Sequence, residues 1–354
     1  MPKLLIIAGA GASYDSDPMR APIITQTMPP TADPGAGQRI PLANDLFHPR
    51  FRPLQKDYKR MKPIIDPLAS FTGDTTIEDV LSRLQEGVKD NPYRAAQLMS
   101  ARFYIRKVIA DTENSWCRTD QINTNWMTLL HRLSDHIDIV KDLTIVTLNY
   151  DRLIEDAIST FGIPQYRHMN DYLSSKRPKL LKVHGSVHWY SPLHNETFTT
   201  NHTNEERYIE NAAELVEGQF PVLAFDPDPH LHFNGLYHLP AIAVPVRQKL
   251  TFMCPPEQKE AFITAIQEAT HLLSIGWRGA DGHITDAIHS HLSTDAPMTV
   301  ICKTVDDSKD VIENITGYRV FQPSQYRTRM PRGGGFTAFL RNDWIEEFLN
   351  QLNE

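Results

Sequence analysis

Six short apolar runs, each ending in loop residues, constrain this chain more than any other feature: Leu4 to Ala8, Leu143 to Leu148, Leu180 to Val183, Val222 to Phe225, His271 to Ile275 and Met298 to Cys302. Runs this short suit strands buried on both faces. Helical patterns separate most of them, and the alternation predicts an α/β, Rossmann-like fold around a mostly parallel sheet. Such a sheet receives ligands outside the carboxyl ends of its strands. The residues that follow each run are therefore where chemistry is expected. We read the 354 residues as one domain, 1–354, with 41% hydrophobic residues to build its core.

The stretch 45–140 breaks the alternation and reads as a helical insertion within that domain. Ile77, Val80, Leu81, Leu84 and Val88 share one helical face, and Thr75 with Glu78 has capping-box spacing. Trp126, Leu129, Leu130, Leu133 and Ile137 form a second stripe, and a closing helix is expected through Phe339, Trp344, Ile345, Phe348 and Leu349. Residues 15–44 hold six prolines between Pro18 and Pro41 and support neither helix nor strand. A long irregular segment beside a glycine loop suits a lid or a plain surface loop. Residues 186–250 also read as irregular.

A net charge of −7 argues against a general nucleic-acid binder, and no direct nucleic-acid contact is expected. Cys117, Cys254 and Cys302 are far apart in sequence, with no CxxC pair, so neither a disulfide framework nor a zinc ribbon is expected. Free thiols suit a reducing compartment. No apolar run approaches the roughly 18 residues of a membrane span, and the N-terminal run is too short for a signal peptide. A soluble, cytoplasmic protein is the expectation. Of fifteen histidines, His184 and His188, or His230 and His232 beside Asp226 and Asp228, invite a metal reading, but no recognised ligand spacing exists and no metal is expected.

Three clusters follow strands. Gly9-Ala10-Gly11-Ala12-Ser13 would let backbone N–H groups approach a phosphate. Tyr14 stands where a dinucleotide fingerprint needs its third glycine, so a tight turn without ligand is the competing reading. Thr147-Leu148-Asn149-Tyr150-Asp151 ends in residues that could equally cap a helix. Val183-His184-Gly185-Ser186 offers a proton acceptor or a hydrogen-bonded core histidine.

In this order the three clusters resemble the signature motifs of the sirtuin superfamily. Ser274-Ile275-Gly276-Trp277-Arg278-Gly279-Ala280-Asp281 is similar to the late motif that completes the family's NAD pocket, and Ile77–Ser82 to a helix of its prokaryotic members. The resemblance implies NAD as substrate, Asn149 and His184 as catalytic residues, and Gly9, Ala10, Gly11 and Ser13 on the pyrophosphate. It places Asp151 near the nicotinamide ribose, and Ser186 and Gly276 on the adenosine side. Leu148 stands where deacylases carry glutamine, Arg278 where a small hydroxyl residue is usual, and the zinc-ribbon cysteines are missing. These departures resemble the NAD-consuming effectors of anti-phage defence, which implies NAD cleavage to nicotinamide and ADP-ribose and abortive infection. Sirtuin-type deacylation, ADP-ribosyl transfer and a non-catalytic NAD or ADP-ribose sensor are the alternatives. The resemblance also implies control by assembly: a homo-oligomer, a HerA-like ATPase or Argonaute-like partner, or both.

Overall fold

The computed structural model describes residues 2–22, 39–69, 77–119, 123–193, 204–215, 232–233, 236–245, 252–293, 296–317 and 329–353. In chain order, β1 (Leu4–Ala8) leads into α1 (Ala10–Tyr14), then α2 (Arg52–Gln55), α3 (Lys62–Ala69), α4 (Ile77–Glu86), α5 (Tyr93–Thr119) and α6 (Asn125–Ser134). Next come β2 (Leu143–Thr147), α7 (Leu153–Ser159), β3 (Lys179–Lys182), β4 (Gly185–Pro192), α8 (Asn204–Glu210), β5 (His232–Phe233), β6 (Leu236–Ile242) and α9 (Pro256–Glu268). The last part holds β7 (His271–Ile275), α10 (Gly282–His291), β8 (Met298–Ile301), α11 (Val305–Thr316), β9 (Arg329–Arg332), α12 (Gly335–Arg341) and α13 (Trp344–Gln351).

Six strands form one parallel sheet in the order β3-β2-β1-β7-β8-β9. This is the expected α/β, Rossmann-like architecture. Its strands are apolar because both faces are covered; every residue of β1 and β8 is buried. The order runs outward in both directions from the β1–β7 pair, which makes that pair the topological switch point where ligands bind in open α/β sheets. One transverse row fixes the edge: Ala8 pairs with Thr147 and Ile275, and Thr147 with Lys182. Gly9, Asn149, His184 and Gly276 each lie one or two residues past that row, at the carboxyl edge.

The α-helices α2 to α6 lie within 45–140. Ile77 and Leu81 are buried on α4, although the helix stops at Glu86, before Val88. Thr124 caps α6 by accepting the Met127 N–H at 3.2 Å. The 27-residue α5 carries no single apolar stripe; Phe103, Tyr104, Ile105, Val108 and Ile109 are all buried around its circumference.

Two expectations are corrected. Part of the segment read as irregular, 186–250, is sheet: β4 pairs antiparallel with β6, and β6 with β5, forming a second, three-stranded sheet. All eight residues of β4 are buried, so the polar-out alternation that marks a half-exposed strand is absent. The single closing helix is two, because Asn342 leaves the helical conformation (φ −95°, ψ 170°) and the chain restarts at Trp344. The strand expected at Val222–Phe225, the Thr75 cap, Asp226, Asp228, His230 and the side chains of Cys117 and His232 lie outside the described residues.

The proline-rich loop is described only at its feet. Arg39, almost fully buried, donates from Nε to the Arg20 carbonyl at 3.0 Å and stacks over the Tyr14 ring. On the other side of α1, Asp15 accepts the Thr337 hydroxyl at 2.6 Å and its N–H at 3.0 Å. Asn125 Nδ2 donates to both the Asp15 carbonyl and Thr337 Oγ1, each at 2.7 Å. The short helix after the glycine loop is thus tied to α6 and α12.

Candidate active site

The glycine loop and the end of β7 are packed backbone to backbone. Gly9 N–H donates to the Ile275 carbonyl and Gly11 N–H to the Gly276 carbonyl, both at 2.9 Å. A Cβ on Gly9 would lie 2.6 Å from the Gly276 carbonyl oxygen; one on Gly276 would lie 2.2 Å from the Ala12 nitrogen. Gly276 also holds a left-handed φ of +62°, which L side chains avoid. The glycines are therefore required by the fold itself. The N–H groups of Gly9, Gly11 and Ala12 are all engaged by backbone carbonyls, and Ala10 is the loop's exposed residue.

Beneath the loop, a chain of hydrogen bonds joins three elements. Asn149 Nδ2 donates to the Gly9 carbonyl at 2.9 Å and to Ser13 Oγ at 2.7 Å. Ser13 Oγ donates onward to Asp151 Oδ2 at 2.6 Å, and Asp151 Oδ1 accepts the Leu153 N–H at 3.2 Å. A carbonyl only accepts, so the nitrogen of the Asn149 amide must face Gly9. With both amide hydrogens engaged, Asn149 Oδ1 is the end left to receive a hydroxyl or a water. Asp151 thus holds Ser13 and, one residue ahead of Arg152 at the N-cap, accepts the first N–H of α7.

The carboxyl of Asp151 is raised above its usual range by burial, which Lys182 and the Ser13 hydroxyl partly oppose. Lys182 is fully buried at the end of β3, with Nζ donating to the Asp151 carbonyl and pairing with Glu155 Oε1 at 3.0 Å. The Tyr172 hydroxyl donates to the same Glu155 oxygen at 3.2 Å. Further out, Glu113 accepts from Arg152 Nε at 3.0 Å and from its N–H at 3.1 Å, and burial pushes its carboxyl up to about 7. Asp156 is raised to about 6, again chiefly by burial. None of Lys182, Glu155 and Glu113 was singled out from sequence. The one available signal was a lysine inside the apolar run Leu180-Leu181-Lys182-Val183, since a buried charge needs partners.

His184 lies in the turn between β3 and β4 and is 1% exposed. Its carbonyl accepts the Ala243 N–H, and the neighbouring Val183 carbonyl accepts that of Met253, both at 2.9 Å. Nε2 stands 3.7 Å from Asp281 Oδ1, and the ring lies 5.7 Å from that of His283. Gly185 (φ +87°) follows because a Cβ there would meet the Ala241 carbonyl at 2.0 Å. Ser186 is buried, and its Oγ donates to the Tyr150 carbonyl at 3.1 Å, which ties β4 to the end of β2. Arg278 is exposed beside the late loop.

The structure thus joins Gly9, Ser13, Asn149 and Asp151 in one network and packs Gly276 against Gly9 and Gly11. His184 and Ser186 follow β3 at the same sheet edge. Among the described residues no group of three His, Cys, Asp or Glu side chains could hold a metal ion. His188 is on β4, and burial lowers its pKa to about 2, which keeps it neutral. Cys254 and Cys302 are free and buried, their thiols pushed up to about 12 and about 11. No helix among the described residues is long and apolar enough to cross a membrane.

Comparison with known proteins finds a family match over residues 143–302, to the SIR2-like domain. That span contains β2, Asn149, Asp151, His184, Ser186 and Gly276. No match emerged among curated protein sequences. Solved structures that resemble the chain include Sir2Tm bound to a propionylated peptide, at 12% identity over 98% of this chain and 94% of that one, with a TM-score of 0.41. A mutant Sir2 homologue in complex with ADP-ribose shares 11% identity over 99% of this chain and 91% of the other, with a TM-score of 0.40. A Sir2 complex with an inhibitor, 2'-O-acetyl-ADP-ribose and a deacetylated p53 peptide shares 12% over 98% and 94%, with a TM-score of 0.37.

Proposed function

We propose that the chain is a SIR2-superfamily protein, on its SIR2-like domain match over residues 143–302, and that it hydrolyses NAD to nicotinamide and ADP-ribose. The observation that carries this reading is the Asn149 amide. Both of its hydrogens are engaged by Gly9 and Ser13, so its oxygen is held, before any ligand arrives, as an acceptor at the carboxyl edge of the sheet.

The chemistry asks little of an acid. Nicotinamide in NAD is already cationic, so the C–N bond can break without protonation of the leaving group. The electron-poor ribose carbon must be oriented, and one water must reach it. In this reading Asn149 Oδ1 aligns the water or a ribose hydroxyl, and His184 takes the proton that the water loses. Asp151, through Ser13, fixes the Asn149 amide. The pyrophosphate lies over the turn at Gly9–Gly11 on its exposed side at Ala10, and Ser186 and Gly276 flank the adenosine half.

A deacylase reading is less well supported. The sequence has three cysteines, too few for a four-cysteine zinc ribbon, and Cys254 and Cys302 are buried. Leu148 replaces the glutamine that deacylases carry.

We further read the protein as a defence effector whose toxicity is held back until assembly. An NAD hydrolase active at all times would deplete its own cell. A homo-oligomer, with or without a HerA-like ATPase or Argonaute-like partner, supplies the control, through an interface on the order of 2,000 Å². Mass spectrometry of the purified protein with NAD, run with light scattering across a dilution series, tests both parts. Nicotinamide and ADP-ribose should accumulate in equal amounts, faster in the assembled fractions. Intact NAD at every concentration, with and without candidate partners, would overturn the reading.

A further inference from the structure

We propose that Asp281 is the positioning carboxylate of His184: it fixes the orientation of the imidazole and stabilises its protonated form. The inference deepens the reading of His184 as proton acceptor and rests on it for its catalytic consequence, though not for the pairing itself.

Three observations carry it. First, His184 Nε2 and Asp281 Oδ1 are 3.7 Å apart, although 97 residues separate them in sequence and they belong to different strands' exits. The distance is within ion-pair range but longer than a hydrogen bond, as catalytic contacts often are before a ligand closes them.

Second, Asp281 is not used where an aspartate in its position normally is. It occupies the N-cap of α10, where a carboxylate usually accepts an N–H of the first helical turn. Here the side chain makes no such bond; the Ile284 and Thr285 N–H groups go instead to the Asp281 backbone carbonyl. The carboxylate is turned away from its helix, towards the end of β3.

Third, it is fixed in that direction. Trp277, almost fully buried, donates its indole N–H to Asp281 Oδ2 at 3.0 Å. One carboxylate oxygen is anchored to the loop after β7 and the other faces the imidazole. The side chain of Asp281 is 22% exposed against 1% for His184, so the carboxylate is better solvated than the ring it faces.

The arrangement has a clear chemical use. When His184 takes a proton from the attacking water, a buried imidazolium forms. An opposite charge within about 4–6 Å favours it, and a carboxylate that orients a general base is the recurring partner in nucleophile activation. His283 faces the same ring from α10, with Phe252 packed edge-on against it at 5.0 Å between ring centres, so a second titratable group shares the environment.

The test uses full-length protein with isotope-labelled histidine. The His184 ring signal is assigned by its disappearance in His184→Gln and titrated by NMR in the wild type, in Asp281→Asn and in Asp281→Glu. Asparagine keeps an acceptor for Trp277 and removes the charge. The His184 pKa should fall by about one unit in Asp281→Asn and be largely restored in Asp281→Glu. The acid limb of the kcat/KM profile for NAD should move to lower pH by the same amount, and kcat should drop while KM changes little. An unchanged His184 titration in a folded Asp281→Asn variant overturns the proposal. So does an unmoved acid limb in protein that cleaves NAD. If the titration moves but the wild type leaves NAD intact, the pairing stands and the hydrolase reading falls. Should Asp281→Asn not fold, Asp281→Ser, which also removes the charge, is titrated in its place, with the same fall expected and the same unchanged titration overturning the proposal.

Discussion

The two sides of the candidate site are built differently. On the β1–β2 side, Asn149, Ser13 and Asp151 are linked by hydrogen bonds of 2.6 to 2.9 Å, and each donated hydrogen has one acceptor. On the β3–β7 side, His184 is fixed through backbone bonds to the residues around it, and its ring meets Asp281 at a looser 3.7 Å. The first arrangement suits a group that must hold one orientation. The second suits a group that must change its protonation state. Gly276, against Gly9 and Gly11, is where the two sides meet, and its backbone tolerates no side chain.

The largest expected effect lies at that junction. Gly276→Ala adds left-handed strain of about 1–3 kcal/mol to a clash with the Ala12 and Gly11 backbone. It should cost at least about 3 kcal/mol or prevent folding altogether. Gly282→Ala, at the first residue of α10 and with nothing within 4 Å of the added carbon, should change stability by less than about 0.5 kcal/mol. Thermal melts of the pair measure the difference, and equal melting temperatures would remove the junction from the account.

Next in size is the proton-transfer side. His184→Ala should lower kcat for NAD cleavage by about 10²-fold with KM little changed, the usual consequence of losing a general base. Steady-state kinetics decide it. A change confined to KM would move His184 to the holding side of the comparison.

The smallest effect sharpens the holding side through pH. Glu113 protonates near 7 in the folded protein, against an ordinary value of 4.5, because burial penalises its charge. Between those two values the folded state binds more protons than the unfolded one, so this group makes stability fall as pH rises through that window. Asp156, raised to about 6, acts in the same sense. Glu113→Gln should flatten the decline in melting temperature between pH 5 and 8, by the equivalent of about 2 kcal/mol. Parallel curves for the variant and the wild type would show that Glu113 does not titrate there.

The parallel sheet was legible because strands buried on both faces leave uninterrupted apolar runs, as in Leu4–Ala8 and His271–Ile275. The second sheet was not. The residues of β4, Gly-Ser-Val-His-Trp-Tyr-Ser-Pro, are all buried yet half polar, so neither alternation nor an apolar run announces them. Nor was β9 legible: Arg-Met-Pro-Arg tolerates Pro331 because, among the described residues, it pairs only with β8, at the sheet edge. The site residues at strand ends could be read as clusters. Their connections could not, because Asp281 reaches His184 only once β7 and β3 share a sheet edge. The glycine pattern was legible too, but its physical cause is as much the packing of Gly9 and Gly11 on Gly276 as any phosphate.

The hydrolysis of NAD depends, in this reading, on Asn149 as held by Gly9 and Ser13. The most direct measurement is a mass-spectrometric time course of NAD, nicotinamide and ADP-ribose with wild type and Asn149→Ala at matched concentration and assembly state, after circular dichroism has shown both to be folded. Equal release of nicotinamide and ADP-ribose is expected from the wild type, and none above background from Asn149→Ala. A folded Asn149→Ala that consumes NAD at the wild-type rate would contradict it.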